Sequence, residues 1–99
     1  MNQSKKQSHI KTANQLKRQG KIDEAIAIYK RGIEIHPNFS WYYNYLGECL
    51  VLQGKLDEAI TNYYKAIELN ASVGWFCYNI AEVFLQRGSL EQALSLIHI

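Results

Sequence analysis

The sequence predicts an all-α fold, a solenoid built from helix–turn–helix repeats. The first observation behind this prediction is a phrase that recurs every thirty-four residues: QGKIDEAI from Gln19, QGKLDEAI from Gln53 and the looser RGSLEQAL from Arg87. The second is that apolar residues within each copy recur every three or four positions, as they do on one face of a helix. A fixed period of this length is typical of stacked repeats that bury their apolar faces against their neighbours.

The repeat boundaries follow from the same shift. Moving the chain by thirty-four residues aligns 16–34 with 50–68 at eleven identical positions, and it also places Trp41 on Trp75. We therefore predict one domain over residues 1–99, with repeats at 6–39, 40–73 and 74–99, of which the third is incomplete. Residues 1–5 are expected to be flexible, since unanchored termini fray.

Each repeat divides into two helices. The second helix of the first repeat has an apolar stripe at Ile22, Ala25, Ile26, Tyr29 and Ile33, and the second repeat copies this stripe. The first helix of the second repeat has its own stripe at Tyr43, Leu46, Gly47 and Leu50. We expect these stripes to form the core, because helices of a globular domain bury one apolar face.

Glycine, proline and serine mark the predicted turns. Gly20, Gly54 and Gly88 recur where one helix must end, and glycine adopts the left-handed conformation of such a turn without steric cost. Pro37 is expected to end a helix because it lacks an amide hydrogen. Ser40 is then predicted to cap the next helix, and Ser89 with Gln92 resembles a capping box.

These residues make the chain resemble the tetratricopeptide repeat (TPR) family. The second repeat matches the family signature of small and aromatic residues at Tyr43, Leu46, Gly47, Leu50, Ala59 and Tyr63, and the third matches it at Ile80, Ala81, Phe84, Gly88 and Ala93. The first repeat is more degenerate. The resemblance implies a right-handed α-solenoid whose first helices line a concave groove that holds extended or helical peptides.

Subtracting the core stripe from each first helix predicts the groove residues. They are Ile10, Asn14 and Lys17 in the first repeat, Trp41, Asn44 and Glu48 in the second, and Trp75, Tyr78 and Glu82 in the third. Tryptophan and tyrosine are frequent binding hot spots. The two asparagines are suited to pairing with a peptide backbone, and Lys17 set against the two glutamates gives a polarity suited to orienting a ligand.

A packing role for the two tryptophans is the alternative. Both lie at the start of a helix, so Trp41 can pack on Phe39 and Pro37, and Trp75 on Val73. One family subtype is disfavoured: repeats that clamp the terminal carboxylate of chaperone tails need cations, and the corresponding positions here are Ile10, Asn14, Tyr45, Trp75 and Asn79.

Several function classes are excluded or disfavoured. His9, His36 and His98 are scattered without metal-ligand spacing, and no phosphate-binding loop occurs, so we predict no enzyme, no catalytic residue, no metal and no cofactor. The net charge of +2 is too small to indicate nucleic-acid binding. No apolar run is long enough for a membrane span, and two cysteines make no disulfide framework, so a cytoplasmic location is expected.

Two further features leave alternatives open. The basic residues Lys5, Lys6, Lys11, Lys17, Arg18 and Lys21 are interpreted as a solvated face, with a weak dock for an acidic partner or a membrane surface as the alternative. The apolar end, with Leu94, Ile97 and Ile99, predicts homo-oligomerisation through the third repeat, because an open apolar face needs covering.

The sequence thus predicts a protein–protein interaction scaffold or adaptor with a protein or peptide ligand in its groove. The alternatives are a self-assembling module and, by resemblance, the N-terminal accessory region of a larger bacterial enzyme of the glycosyl-, sulfo- or methyltransferase type.

Overall fold

The computed structural model describes residues 2–88, with side chains from Lys5 onward. Five helices follow one another: α1 Asn2–Arg18, α2 Ile22–Ile35, α3 Ser40–Leu52, α4 Leu56–Leu69 and α5 Gly74–Gln86. No strand occurs within residues 2–88, so the predicted all-α architecture is confirmed. The flexibility predicted for residues 1–5 stays a prediction, and the predicted capping box of Ser89 with Gln92 lies outside the described residues.

Three glycines form the turns that the repeated phrase predicts. Gly20, Gly54 and Gly88 have φ angles of 81°, 77° and 81°, and a Cβ added at any of them would meet nothing within 4 Å. The requirement for glycine therefore comes from the backbone conformation alone. Behind the first turn, the Lys21 amide donates to the Leu16 carbonyl at 2.8 Å, which satisfies a carbonyl that the ended helix leaves open.

The connector between α2 and α3 is held by aromatic packing instead of a side-chain cap. The helix α3 begins at Ser40, and Phe39, in an extended conformation, occupies the N-cap position with no side-chain hydrogen bond. The prediction that Ser40 caps this helix is therefore wrong. The Phe39 ring packs edge-on against Tyr42 at 4.9 Å, and the Tyr43 hydroxyl donates to the Pro37 carbonyl at 2.7 Å. These contacts fix the chain direction that a cap would otherwise set.

The core lies between successive helices, and α3 also contacts α5. Aromatic rings rest on glycines at two helix crossings: a Cβ at Gly32 would lie 2.7 Å from Tyr42 Cζ, and one at Gly47 would lie 2.6 Å from Tyr63 Cε1. Tyr42 is fully buried, whereas Tyr43, which the predicted stripe included, is only partly buried. The apolar stripe on α3 therefore begins one residue earlier than predicted. The close contacts at the two glycines bring the neighbouring helices together.

Candidate functional site

The helices α1, α3 and α5 carry the nine predicted groove residues, of which only Asn44 is fully buried. We use the name first-helix face for the surface at these positions: Ile10, Asn14, Lys17, Trp41, Asn44, Glu48, Trp75, Tyr78 and Glu82. Bonds between helices link its three parts. The Lys17 ammonium on α1 donates to Glu48 Oε1 on α3 at 3.1 Å, and Trp75 Nε1 on α5 donates to Glu48 Oε2 at 3.4 Å.

Glu48 is the centre of a polar network beneath this face. Its Oε1 accepts from Lys17, and its Oε2 accepts from Trp75 and from the side-chain amides of Asn44 at 3.3 Å and Asn79 at 3.4 Å. Lys17 and Glu48 are both largely shielded, with 24% and 22% of their side chains exposed. The two charges neutralise each other at the middle of the face, which leaves Glu82 as the exposed carboxylate among the nine positions.

The two buried asparagines join α3 directly to α5. Asn44 has none of its surface exposed, and its Oδ1 accepts from Asn79 Nδ2 at 2.9 Å. A buried amide needs such partners, because an unpaired polar group in the interior costs free energy. Asn44 lies below the surface and bonds to protein groups, so its pairing with a peptide backbone stays a prediction that the packing does not favour.

Asn14 on α1 is oriented by a buried tyrosine. The Tyr29 hydroxyl donates to Asn14 Oδ1 at 2.7 Å, and the Tyr29 ring stacks on Tyr45 with centroids 5.6 Å apart. Burial raises the pKa of Tyr29 well above its usual value of 10.0, so the phenol remains a hydrogen donor. Because the oxygen of Asn14 accepts this bond, its amide hydrogens face away from Tyr29.

A cleft of about 510 Å³ opens between α1 and α3. It is lined by Gln7, Ile10, Lys11, Asn14, Gln15 and Arg18 of α1, by Phe39 of the connector, and by Trp41 and Tyr45 of α3. We call it the α1–α3 cleft. Its inner wall is aromatic and aliphatic, and the polar residues of α1 around it are two cations and three side-chain amides, which can donate and accept hydrogen bonds. Cavities of this size fit a side chain and its flanking backbone.

Trp41 both lines this cleft and packs against the next repeat. Its ring tilts against Tyr45 at 5.6 Å and meets the edge of the fully buried Phe76 at 4.8 Å. The packing alternative named Phe39 and Pro37 as its neighbours, whereas the ring contacts in the structure are with Tyr45 and with Phe76 on α5. Trp41 is therefore part of the scaffold as well as part of the surface.

Trp75 and Tyr78 form a more open patch on α5. Their rings stack with centroids 5.6 Å apart, yet they are 50% and 51% exposed. Leu85, one helical turn beyond Glu82, is also exposed. Monomeric proteins seldom leave several large apolar side chains together in water without a use for them.

Residues that the sequence did not assign to the face also take part. Tyr45, Lys11 and Arg18 line the α1–α3 cleft, and Asn79 belongs to the network. Tyr45 lies four residues after Trp41, a helical neighbour position that could have signalled it. The predicted self-association residues Leu94, Ile97 and Ile99 lie outside the described residues, so that hypothesis stays a prediction.

Within the described part of the chain, no group of three or more histidine, cysteine, aspartate or glutamate side chains is placed to hold a metal ion. None of the described helices combines the length and apolar character needed to cross a bilayer.

Solved structures resemble this fold. The Yersinia enterocolitica type III secretion translocator chaperone SycD, in a structure described as an alternative dimer, has a TM-score of 0.88 and 24% identity over 93% of this chain and 70% of its own. SycD in complex with a peptide of the translocator YopD has a TM-score of 0.88 and 23% identity over 96% of this chain and 72% of its own. At such identities the likeness establishes the fold alone.

YrrB, described as a TPR protein with an unusual peptide-binding site, has a TM-score of 0.81 and 22% identity over 91% of this chain and 46% of its own. No curated protein sequence matches the chain. Family models do: tetratricopeptide repeat models match residues 13–39 and 28–61, and a TPR repeat model matches residues 47–88. Together they cover residues 13–88 without interruption, so the chain belongs to the tetratricopeptide repeat family as a tandem repeat protein.

Proposed function

We propose that this protein is an interaction module that binds a peptide segment of a partner protein on its first-helix face. The observation that carries the proposal is the stacked Trp75–Tyr78 pair on α5, of which about half is exposed. Ordered aromatic rings contribute large contact areas at little cost in conformational entropy, and they dominate many binding interfaces.

The rigidity of the face supports this proposal. The network around Glu48 ties α1, α3 and α5 together through side chains that are mostly shielded from water. A surface whose side chains are already fixed loses less entropy on binding than a flexible one. The ionisable side chains at its centre are bonded to each other, so the proposal gives them a supporting role and no catalytic one.

The similar structures support a peptide as the class of ligand. SycD has been solved with a peptide of YopD, and YrrB is described as having a peptide-binding site. Those ligands belong to those proteins, and the proposal takes from them only that repeats of this fold hold peptides. The first-helix face is where the exposed aromatic groups of this chain are concentrated.

The test compares partner capture by matched surface variants. Trp75→Ala and Tyr78→Ala remove rings that are about half exposed, while Tyr64→Ala on α4 removes a 47% exposed ring away from the face. Quantitative capture from source-cell lysate should yield proteins bound by wild type and by Tyr64→Ala and lost, by roughly tenfold or more, from the other two.

All three variants should keep the wild-type helix content and stay folded at the temperature of the capture. If folded Trp75→Ala and Tyr78→Ala capture the same proteins as wild type in the same amounts, the face is not the binding surface and the proposal is wrong. Trp41→Ala is unsuitable as the main variant, because loss of its contact with Phe76 would weaken the fold as well.

A further inference from the structure

We propose that the α1–α3 cleft selects an acidic peptide segment with a large apolar side chain at its centre. This inference rests on the proposed function and names the chemistry of the ligand. It goes beyond the general statement that the repeats bind peptides, because the two ends of the first-helix face differ in charge and shape.

Positive charge lies along the α1 side of the cleft. Lys11 and Arg18 line it, both are exposed, and none of its lining residues is an aspartate or glutamate. A third cation, Lys6, lies over the Phe39 ring with its Nζ 4.6 Å from the centroid. Lys17 does not add to this field, because Glu48 neutralises it at 3.1 Å. Charges that are not paired internally are the ones available to attract an opposite charge on a partner.

The remaining polar groups in the cleft favour an acceptor as ligand. The Asn14 oxygen already accepts from Tyr29, so its amide group is left to donate. Lysine and arginine side chains donate only. Carboxylates and backbone carbonyls therefore fit this site. Gln7 and Gln15 each have a side-chain oxygen that can accept a hydrogen bond, but an ammonium or guanidinium group on the ligand would face like charge there.

The inner wall supplies the apolar half of the specificity. Ile10, Phe39, Trp41 and Tyr45 line a space of about 510 Å³, and each is partly buried with a face towards the cleft. Burying a leucine or phenylalanine side chain there would release water from both surfaces. The other end of the face has the opposite character, since α5 presents the exposed Glu82 beside Trp75 and Tyr78. Acidic residues of a bound segment should thus lie over α1 and α3.

The first test is selection from a random-peptide display library on wild-type protein, followed by binding of the enriched peptides to variants. We expect enriched sequences in which aspartate or glutamate flanks leucine or an aromatic residue. A charge reversal, Lys11→Glu with Arg18→Glu, should weaken their binding at least roughly tenfold. Raising the salt concentration should weaken wild-type binding as well, because exposed charges are screened.

The matched control is Lys30→Glu with Lys55→Glu. These lysines are exposed and lie outside the cleft lining, so the control has the same net charge as the cleft variant without changing the site. It should retain wild-type binding to within roughly twofold. An equal loss in both double variants would mean that net charge alone attracts the peptides, and the inference would be overturned.

The remaining outcomes separate the two proposals. Enriched peptides that need Trp75 but are basic or uncharged, or that bind the cleft variant as well as wild type, overturn this inference and leave the proposed function in place. If the selection yields no peptide whose binding depends on Trp75 or on the cleft, this result overturns the inference and also contradicts the proposed function. If the wild-type protein forms a dimer and the Lys11→Glu, Arg18→Glu variant does not, a second copy of the chain covers the cleft. That result also overturns the inference.

Discussion

The two ends of the first-helix face use aromatic residues in different ways. At the α1–α3 end, Trp41 is held between Tyr45 and the buried Phe76, and the cleft beside it has cations along its α1 side. At the α5 end, Trp75 stacks only on Tyr78, and half of each side chain is open to water. Two tryptophans at equivalent repeat positions therefore have different surroundings, which shows that a repeated residue need not have a repeated role.

Glu48 and its repeat equivalent Glu82 show the same divergence. Glu48 accepts four hydrogen bonds from three helices, whereas Glu82 is exposed on α5. We expect Glu48→Ala to destabilise the fold by about 2–3 kcal/mol, because it leaves Lys17, Asn44 and Trp75 without this acceptor. Glu82→Ala should stay within about 0.5 kcal/mol of wild type. Urea denaturation of both variants measures the difference.

Glu48→Gln refines this comparison, because it keeps one acceptor oxygen and removes the charge. Its stability should fall between those of wild type and Glu48→Ala. If Glu48→Ala and Glu82→Ala were equally stable, the network would contribute nothing to holding the first helices together.

The next largest effect is expected at the cysteines. Cys49 on α3 is fully buried, and burial raises the pKa of its thiol from 9.0 to about 11. At neutral pH its thiolate population is then about a hundredfold smaller than that of an ordinary thiol. Cys77 on α5 is only partly buried. We expect a thiol reagent to modify Cys77 before Cys49 in the folded protein. Mass spectrometry of the labelled peptides measures the order of modification.

The same pKa shift predicts that the folded protein loses stability at alkaline pH. The unfolded chain releases the Cys49 proton near pH 9.0 and the folded chain only near 11, so stability should be intact below pH 9.0 and fall between these values. Cys49→Ala should reduce this alkaline loss. In urea both cysteines should be labelled at similar rates, and equal labelling in the folded state would contradict the expected protection.

The smallest expected effect is the difference in folding free energy lost when each of the two tryptophans is replaced by alanine. Trp41→Ala should cost about 2 kcal/mol of folding free energy, because the ring contacts both Tyr45 and Phe76. Trp75→Ala should cost less than about 1 kcal/mol, since half of the side chain is already in water. Thermal and urea denaturation measure both, and equal losses would mean that the exposed stack on α5 is as important to folding as the enclosed ring.

The helices and their turns could be predicted because each depends on spacing along the chain. The period located Gly20, Gly54 and Gly88, whereas the positions that subtraction of the apolar stripe assigned to the first-helix face stay a prediction. What could not be predicted depends on how helices rotate against one another. A shift of one position decides that Tyr42 is buried in place of Tyr43. It also decides that Tyr45 joins the cleft.

The Asn44–Asn79 bond escaped prediction for a related reason. Those residues are thirty-five apart, one more than the repeat period, so no comparison of equivalent positions pairs them. Ser40 failed as a cap because Phe39 and Tyr43 position the connector through ring packing and a hydroxyl bond to Pro37. Such contacts between different parts of the chain have no local sequence signal.

The glycine turns have a consequence for protein engineering. At Gly20 and Gly54 the backbone has positive φ, and a side chain attached there would project into empty space. A residue of opposite chirality, such as D-alanine introduced by chemical synthesis, favours that backbone conformation and restricts the unfolded chain. The turns at Gly20 and Gly54 can therefore be made more rigid one at a time, without altering any side chain of the surface proposed to bind.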